Sequence, residues 1–436
     1  MDFRGKKVAV LDTIHGGETI RHKLRQAGAD AIAINIYRDP PAASVIDSFD
    51  LVISPVHALS PLETRAAMLG IPLLTHHQAV GQLVARSQAL QDALVFEITG
   101  VRGKTTTAAL LKNAFSEQAL LSLTSGGLEV QQDGRYVAKK RLSITPANIL
   151  VALDLIDEFG FTPQVCIFET SLGGTGIADV NILTSLSPEY AIAQHTSTST
   201  NAKLHMVSNA KANSCLIISS SVASLLQTDS CYNTFGGAGA TVQYEQIGAS
   251  ETDIRYDDLQ RIGGDRVSGE IRFKPSGCYD LLSYQDSLLC FVAAALTSNM
   301  DPALIQRELC SFSGVMGRMS AALIKRRILI DNSNSGLQED SIKRAVDFGL
   351  TFKRPGHRVV LIIGEEAKTI CDGITPEVVA SIADNDALDG VVLVGDRMRT
   401  SKTDGIHSDD LESALGAALN LTSERDVIIS CVKMWR

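Results

Sequence analysis

The stretch Phe96–Thr107, FEITGVRGKTTT, decides the fold of this chain. The apolar residues that lead into it predict a buried strand, and the residues after it predict a helix. A strand, a glycine turn, a Lys-Thr pair and a helix are typical of a phosphate-binding loop, because backbone N–H groups at a helix N-terminus face the anion. Lys104 adds a positive charge, and the Thr105 hydroxyl is a candidate ligand of Mg²⁺. The candidate nucleotide-binding residues are Gly100, Val101, Arg102, Gly103, Lys104, Thr105 and Thr106.

The glycine spacing in this loop is shorter than in the usual phosphate loop. Two residues separate Gly100 from Gly103, whereas the usual motif has four between its glycines. Two spaced glycines alone would also suit an ordinary turn between a strand and a helix. The Gly-Lys-Thr-Thr sequence in this position favours phosphate binding.

A carboxylate at the end of a second predicted strand extends the candidate site. Residues 164–168 are mostly apolar and predict a buried strand, and Glu169 follows them. A glutamate that closes a buried strand is costly unless it is exposed or paired with a cation. Magnesium takes one or two carboxylates together with phosphate oxygens, so Glu169 and Thr105 are candidate Mg²⁺ ligands. The alternative is a surface carboxylate just past the strand.

The first predicted strand ends in a polar loop, residues 12–19, that precedes a helix. Open α/β sheets bind ligands at this end of their strands. The candidate substrate contacts are therefore His15, Gly16, Gly17, Arg21 and Arg25. The loop could also be a simple turn, and the two arginines, four residues apart on one helix face, could form a solvated basic surface. His76 and His77 follow another strand end. They could line a polar site or form a metal-binding pair.

Composition narrows the class of protein. The 436 residues are 45% hydrophobic and 20% charged, with a net charge of −9, which argues against nonspecific nucleic-acid binding. No apolar run approaches the ~20 residues of a membrane span, and the first residues lead straight into a strand without a signal peptide. The eight cysteines, none spaced as Cys-x-x-Cys, are interpreted as reduced core residues. We therefore expect a cytoplasmic protein without a nucleic-acid or membrane partner; the sequence does not set the oligomeric state.

Taken together, the motifs resemble those of the Mur ligase superfamily. Its Gly-x-x-Gly-Lys-Thr/Ser loop holds ATP, and these enzymes phosphorylate a carboxylate before they transfer the acyl group. The chain carries the loop, a strand-end glutamate, an Ala-Lys helix at Lys203 and the string Phe312–Met319, close to the family's Phe-x-Gly-Val-x-Gly-Arg-Met, in the family's order. The resemblance implies ATP and Mg²⁺ as cofactors. The residues to which it gives catalytic roles are Lys104, Glu169, Lys203 and Arg318.

The resemblance also implies roles for individual positions. Arg318 would meet nucleotide phosphates, because a guanidinium binds phosphate oxygens in pairs, and Asp331 matches an acidic turn that contacts ribose. Lys203 matches a lysine that many members carry in carbamylated form; a surface helix lysine is the alternative. Where the family has an Asp-His-Leu-Asp sequence that ligates a second metal, this chain has Glu189-Tyr190, and His195 is the candidate replacement.

The resemblance also implies the fold class. We expect an α/β chain with a three-domain Mur ligase-like architecture, a central P-loop ATPase domain flanked by two Rossmann-like open-sheet domains. The expected limits are 1–88 for an N-terminal substrate-binding domain, 89–326 for the ATP-binding domain and 327–436 for the C-terminal domain. Alternating strands and helices in both flanking segments agree with parallel sheets. The predicted strands of the first segment are 8–11, 31–36, 51–54 and 72–75, with helices at 19–26 and 61–69.

Within the superfamily, three segments are similar to the archaeal branch that makes coenzyme F-430. They are residues 9–17, Val101-Arg102 and 331–336. That branch activates a propionate of a nickel seco-tetrapyrrole and closes a carbocyclic ring on it, so the implied partner is a small nickel-containing tetrapyrrole polycarboxylate. Two alternatives stay open: an amide ligase that adds an amino acid to a carboxylate, and a P-loop nucleotide switch or kinase that makes no acyl phosphate.

Overall fold

The computed structural model describes residues 1–38, 40–58, 60–85, 87–226, 232–366, 373–400 and 403–434. The chain folds into two compact units. The first comprises Met1–Phe273 and Asp286–Leu309, and the second comprises Lys274–Gln285 and Cys310–Arg436. Among the described residues, no helix is long and apolar enough to cross a membrane. The domain limits expected above stay a prediction.

A four-stranded parallel sheet and its helices begin the first unit. The elements are β1 (Lys7–Val10), α1 (Gly17–Gln26), β2 (Asp30–Ala33), a 3₁₀ helix (Ala43–Ser48), β3 (Leu51–Ser54), α2 (Pro61–Met68), β4 (Leu73–Thr75), α3 (His76–Val84) and α4 (Gln88–Gln91). The strands lie in the order β2-β1-β3-β4, all parallel as predicted. α3 begins sharply at Thr75, which forms a capping box with Gln78. Because the four strands are parallel, the polar loops that follow them lie at one edge of the sheet.

A larger mixed sheet fills the rest of the first unit. Its elements, together with the two helices that follow, are β5 (Leu94–Thr99), α5 (Lys104–Ala114), β6 (Leu120–Thr124), β7 (Gly127–Gln132), β8 (Arg135–Lys140), α6 (Ala147–Phe159), β9 (Val165–Glu169), β10 (Val180–Leu183), β11 (Ala191–Ile192), β12 (Ser197–Thr198), α7 (Ser199–Asn209), β13 (Cys215–Ser219), α8 (Ser220–Ala223), β14 (Tyr232–Gly236), β15 (Val242–Gln246), β16 (Thr252–Gln260), β17 (Arg266–Phe273), α9 (Leu281–Thr297) and α10 (Pro302–Ser311). Eleven of the strands form one sheet in the order β17-β16-β15-β14-β13-β10-β5-β9-β6-β7-β8. The phosphate-loop strand β5 lies between β10 and β9, to which it is parallel.

One apolar core joins the two sheets of the first unit. Ile20 and Leu24 of α1 and Ile149 of α6 are fully buried members of the same cluster. The Lys23 side chain, on another face of α1, forms an ion pair with Asp154 of α6. The first loop of the chain is thus held close to the start of α6.

The second unit contains a six-stranded sheet. Its elements are β18 (Ser320–Ile324), β19 (Arg327–Asp331), α11 (Glu339–Leu350), β20 (Val359–Glu365), α12 (Pro376–Ala383), β21 (Gly390–Val394), a 3₁₀ helix (Asp396–Thr400), β22 (Ile406–Ser408), α13 (Leu411–Leu421) and β23 (Val427–Lys433). The order in the sheet is β18-β19-β23-β20-β21-β22. The five strands that follow β18 in this order are all parallel. This is the open parallel sheet predicted for the end of the chain, with one antiparallel edge strand added.

The cysteines follow the predicted pattern with one clear exception. None of the six in the described residues forms a disulfide, and four are buried: Cys166, Cys215, Cys290 and Cys431. Cys278 is half-buried, and Cys310 is exposed. The prediction of a core position is wrong for Cys310, because α10 turns Ile305 and Leu309 into the core and Cys310 outward. Cys231 and Cys371 lie outside the described residues.

Candidate functional site

Two glycines shape the predicted phosphate loop. Gly100 and Gly103 have φ angles of 145° and 85°, which residues with a side chain rarely adopt. A Cβ atom on Gly100 would lie 2.0 Å from the Thr184 hydroxyl oxygen. Glycine is therefore required at Gly100 both for the backbone angle and for space.

The loop is tied to the neighbouring strand end. The N–H groups of Val101 and Arg102 donate to the carbonyl and hydroxyl of Ser185, each at 2.9 Å. The Thr184 hydroxyl donates to the Arg102 carbonyl at 2.5 Å. These contacts fix the loop before any ligand binds, which lowers the entropy cost of gripping an anion.

The start of α5 provides the anion-binding end of the loop. The hydrogen bond from Thr107 N–H to the Gly103 carbonyl opens the helix, so the N–H groups of the preceding turn are not used by the helix itself. The Lys104 ammonium folds back to the Gly100 carbonyl at 2.9 Å. Positive charge and helix N-terminus therefore converge on the concave side of the loop.

Thr105 and Glu169 meet as the sequence predicts for a magnesium site. The Thr105 hydroxyl is 3.1 Å and 3.4 Å from the two Glu169 carboxylate oxygens. Glu169 is only 1% exposed, which rules out the surface-carboxylate interpretation. Oxygen ligands of an octahedral Mg²⁺ are about 2.9 Å apart, given bonds of 2.0–2.1 Å. The pair fits a shared Mg²⁺, although the described residues hold no cluster of three or more His, Cys, Asp or Glu side chains suited to a metal.

Ser125 completes this oxygen cluster. Its hydroxyl is 2.9 Å from the Thr105 hydroxyl, and its N–H donates to Glu169 at 2.9 Å. Magnesium commonly keeps several waters and takes phosphate oxygens besides one or two carboxylates. Thr105, Glu169 and the phosphates would thus supply the direct ligands, with Ser125 holding the carboxylate in place.

Lys203 is buried rather than a surface helix residue. It is 1% exposed on α7, and its amine lies 3.3 Å from the Tyr190 hydroxyl and 4.8 Å from the centre of that ring. Burial, and then the charge of Lys104, lower the pKa of Lys203 to about 8. A lysine with this pKa is partly neutral near physiological pH, as carbamylation requires. The modification itself stays a prediction.

Tyr190 is the residue that stands, by the resemblance stated above, in place of the expected metal-binding sequence. Its ring covers the Lys203 amine, and burial raises the pKa of its hydroxyl. His195, the candidate replacement, is exposed in a turn with a φ of 66°. That His195 binds a second metal stays a prediction.

His15 belongs to a cluster of side chains that the sequence does not predict. We call His15, Tyr37 and His57 the histidine–tyrosine cluster; they follow β1, β2 and β3. The Tyr37 hydroxyl lies 3.0 Å from His15 Nδ1 and 3.3 Å from His57 Nε2. The two imidazoles meet edge to face with ring centres 4.6 Å apart. Asp12 lies beneath them, with a carboxylate oxygen 3.7 Å from His15 Nδ1.

The loop that carries His15 is built around the buried Asp12 carboxylate. It accepts the N–H groups of Ile14, His15 and Gly17 at 2.8 to 3.0 Å. Burial raises the pKa of Asp12, but these hydrogen bonds and nearby His76 outweigh it, and the pKa lies below its usual value. Gly16 adopts a φ of 102° as the N-cap of α1. The loop is thus a rigid anionic turn, not a loose connection.

His76 and His77 line the junction of the two sheets as neutral residues. Burial lowers the pKa of each to about 4. His77 Nε2 lies 2.8 Å from the carbonyl of Ser171, two residues beyond Glu169. In the absence of a third ligand among the described residues, this geometry favours polar lining over a metal pair.

The two arginines of α1 already have partners. Arg21 donates to Glu18 at 2.6 Å, and Arg25 donates to the Ala31 carbonyl at 2.7 Å. Their use as carboxylate contacts would require at least Arg21 to exchange its partner, and it stays a prediction.

Arg318 and Asp331 share one polar network in the second unit. The Gly317 N–H donates to Asp331 at 3.0 Å, and Arg318 donates to the Asn334 side chain at 3.2 Å. Asn334 donates in turn to the Gly317 carbonyl at 2.8 Å. Asp331 and Asn334 are both buried. The motif around Arg318 is thus fixed by the turn after β19, while its contact with phosphate stays a prediction.

Comparison with known proteins agrees with this geometry. Residues 322–434 match the family model described as the C-terminal domain of coenzyme F430 synthetase CfbE. The whole chain is 32% identical over 477 residues to the coenzyme F(430) synthetase of Methanosarcina acetivorans, with all of both chains covered.

Solved structures give the fold. MurF from Acinetobacter baumannii matches with a TM-score of 0.60 and 15% identity, covering 90% of each chain. E. coli FolC in complex with DHPP and ADP matches with a TM-score of 0.59 and 16% identity, covering 82% of this chain and 89% of FolC. A pseudomurein peptide ligase type C from Methanothermus fervidus matches with a TM-score of 0.52 and 16% identity over 99% and 97% of the two chains. With the fold of Mur ligases and a relative that is similar from end to end, this chain belongs to the coenzyme F430 synthetase family.

Proposed function

We propose that the protein is an ATP-dependent ligase that closes a ring in a nickel tetrapyrrole. A propionate carboxylate of the nickel seco-tetrapyrrole attacks the terminal phosphate of ATP and becomes an acyl phosphate. A ring carbon of the same molecule then attacks the acyl carbon, giving coenzyme F430, ADP and phosphate. The full-length similarity to a coenzyme F(430) synthetase supports the substrate class. The observation that carries the nucleotide part is the contact of Thr105 with Glu169 beside the glycine loop.

The site residues have different roles in binding the nucleotide. The N-terminus of α5 and the Lys104 ammonium bind phosphate oxygens and offset the negative charge that develops during transfer. Thr105 and Glu169 hold Mg²⁺, which when bound would neutralise phosphate charge. We assign Arg318 a second cationic contact with the phosphates and Asp331 a contact with ribose.

We assign binding of the tetrapyrrole substrate to the first loop of the chain. His15, Gly16 and Gly17 line the edge of the sheet where open α/β folds bind ligands, and Arg21 and Arg25 follow on α1. An intramolecular closure needs no site for a free amino acid, because the attacking carbon is held in the same molecule as the acyl phosphate.

An ATP-consumption assay with the nickel tetrapyrrole acid and no added amine tests this function. Wild type should release ADP and phosphate in step with ring closure, and Lys104→Ala should lose about 100-fold or more of the rate, since one charge-stabilising group is typically worth 10²–10³. An absolute need for an amine would indicate an amide ligase. Steady ATP hydrolysis that ignores every carboxylate would indicate a nucleotide switch or kinase.

A further inference from the structure

The ring closure proposed above needs an acceptor for one proton. The carbon that bonds to the acyl carbon must give up a hydrogen, and a positioned side chain speeds such a transfer by about 10²–10⁴-fold. In the phosphate site, Lys104 is a cation and Glu169 is assigned to Mg²⁺. Neither of these two groups is therefore available to take the proton.

The histidine–tyrosine cluster holds a group suited to this role. His15 is exposed, and among the described residues its Nε2 has no hydrogen-bond partner. Its other nitrogen, Nδ1, lies 3.0 Å from the Tyr37 hydroxyl and 3.7 Å from the Asp12 carboxylate. An anion on that side favours a proton on Nδ1, which leaves the lone pair on the exposed Nε2.

The other two members of the cluster enforce the same tautomer. Burial, and then His15, lower the pKa of His57, so its imidazole is neutral and can accept a hydrogen bond. Burial and the Asp12 charge raise the pKa of Tyr37, so its hydroxyl keeps the proton. The Tyr37 hydroxyl donates to the Asp12 carboxylate, and its oxygen accepts from His15 Nδ1, 3.0 Å away. His76, neutral and buried, adds no competing positive charge at neutral pH.

The cluster lies where the first sheet meets the ATP-binding sheet. Gly16, next to His15, packs so closely on α6 that a Cβ there would lie 2.4 Å from Ala147 Cβ. The His57 carbonyl accepts the N–H of Ala193 at 3.1 Å. The polar loops of the first sheet are thus held against segments of the sheet that carries the phosphate loop.

We propose that His15 is the general base of the ring closure, with Asp12, Tyr37 and His57 as positioning residues. This inference rests on the proposed function. The C–H bond of the attacking ring carbon breaks, and its proton passes to His15 Nε2. The electron pair of that bond forms the new C–C bond to the acyl carbon, and the C–O bond to phosphate breaks with its electrons leaving on phosphate. The exposed imidazolium then returns its proton to solvent.

A single-turnover experiment with two readouts separates base catalysis from activation. The full chain is mixed with MgATP and the nickel seco-tetrapyrrole, and hydroxylamine trapping measures the acyl phosphate while absorbance and mass measure the closed ring. In His15→Gln, with the tetrapyrrole at saturating concentration, trapping should fall far less than closure, which should slow by about 10²–10⁴-fold. His22→Gln changes an exposed histidine on α1, the helix that follows the His15 loop; it is the matched control and should leave both rates unchanged.

A double-variant comparison tests the positioning role of Tyr37. Tyr37→Phe should slow closure alone, and in the His15→Gln background it should slow closure no further, because it acts through His15. Closure at the wild-type rate in His15→Gln, or equal losses of trapping and closure, would overturn the inference while leaving the proposed function in place. No trapped acyl phosphate in wild type would instead overturn the proposed function. Circular dichroism of each variant confirms that it has folded.

Discussion

Lys203 shows how burial and a neighbouring charge can give a residue an unusual charge state. Burial and the Lys104 charge lower its pKa from the ordinary 10.5 to about 8 in the folded chain. Between these two values the unfolded chain binds more protons at this residue than the folded chain does. The contribution of Lys203 to the free energy of unfolding therefore rises with pH across this window, and below it the full cost of burying the cation is present.

Replacing Lys203 with methionine should remove this pH dependence. We expect the stability difference, wild type minus Lys203→Met, to shift in favour of wild type as pH rises through the window. Urea denaturation of both proteins on either side of the window, in buffer freed of bicarbonate, measures it. A difference that stays constant with pH would show that folding does not lower the pKa of Lys203.

The residues of the candidate site differ in how far sequence can predict them. Gly100–Thr106 form a continuous motif whose contacts are local or reach one neighbouring strand, so the strand, loop and helix follow from sequence, while nucleotide binding stays a prediction. The histidine–tyrosine cluster is assembled from loops about twenty residues apart along the chain, so no local pattern reveals it. The available signal was that His15, Tyr37 and His57 each follow a predicted strand.

The phosphate loop makes the clearest prediction among the secondary-structure elements. Gly100→Ala would place a Cβ 2.0 Å from the Thr184 oxygen at a φ of 145°. Strain of this kind costs about 1–3 kcal/mol, and relief by moving the loop would break its bonds to Ser185. We expect lower stability of the first unit and loss of nucleotide binding, measured by denaturation and by calorimetric titration with MgATP.

Gly134→Ala is the matched control for that change. Gly134 also has a positive φ, 73°, in the turn between β7 and β8, but a Cβ there would meet nothing within 4 Å. It should cost about 1–2 kcal/mol of stability and leave nucleotide binding intact. If both variants lose nucleotide binding, the effect reflects general destabilisation of the unit and not the packing of the loop on Thr184.

Strands were predicted best where their apolar runs are short and bounded by polar residues. β3 has its predicted limits, Leu51–Ser54, whereas β2 ends at Ala33 and not at residue 36. The reason is the Asn35 side chain, which accepts the N–H groups of Tyr37 and Arg38 and turns the chain. The antiparallel strands β15 to β17 were not predicted, because charged residues interrupt their alternation and their pairing is known only in three dimensions.

For the whole molecule, the nucleotide should act as a stabilising ligand that depends on magnesium. A ligand that binds only the folded state at a hundred times its Kd adds about 2.7 kcal/mol to stability. MgATP should therefore raise the unfolding midpoint of wild type clearly more than ATP with a chelator does.

Lys104→Met should lose most of this shift in midpoint, because the phosphates lose their contact with the lysine ammonium. Glu169→Gln should respond equally to ATP with and without Mg²⁺, because the carboxylate beside Thr105 is its proposed ligand. Thermal denaturation of the three proteins decides the matter: an equal shift in all three would place the nucleotide away from this loop, and the assignment of the ligase site would fail with it.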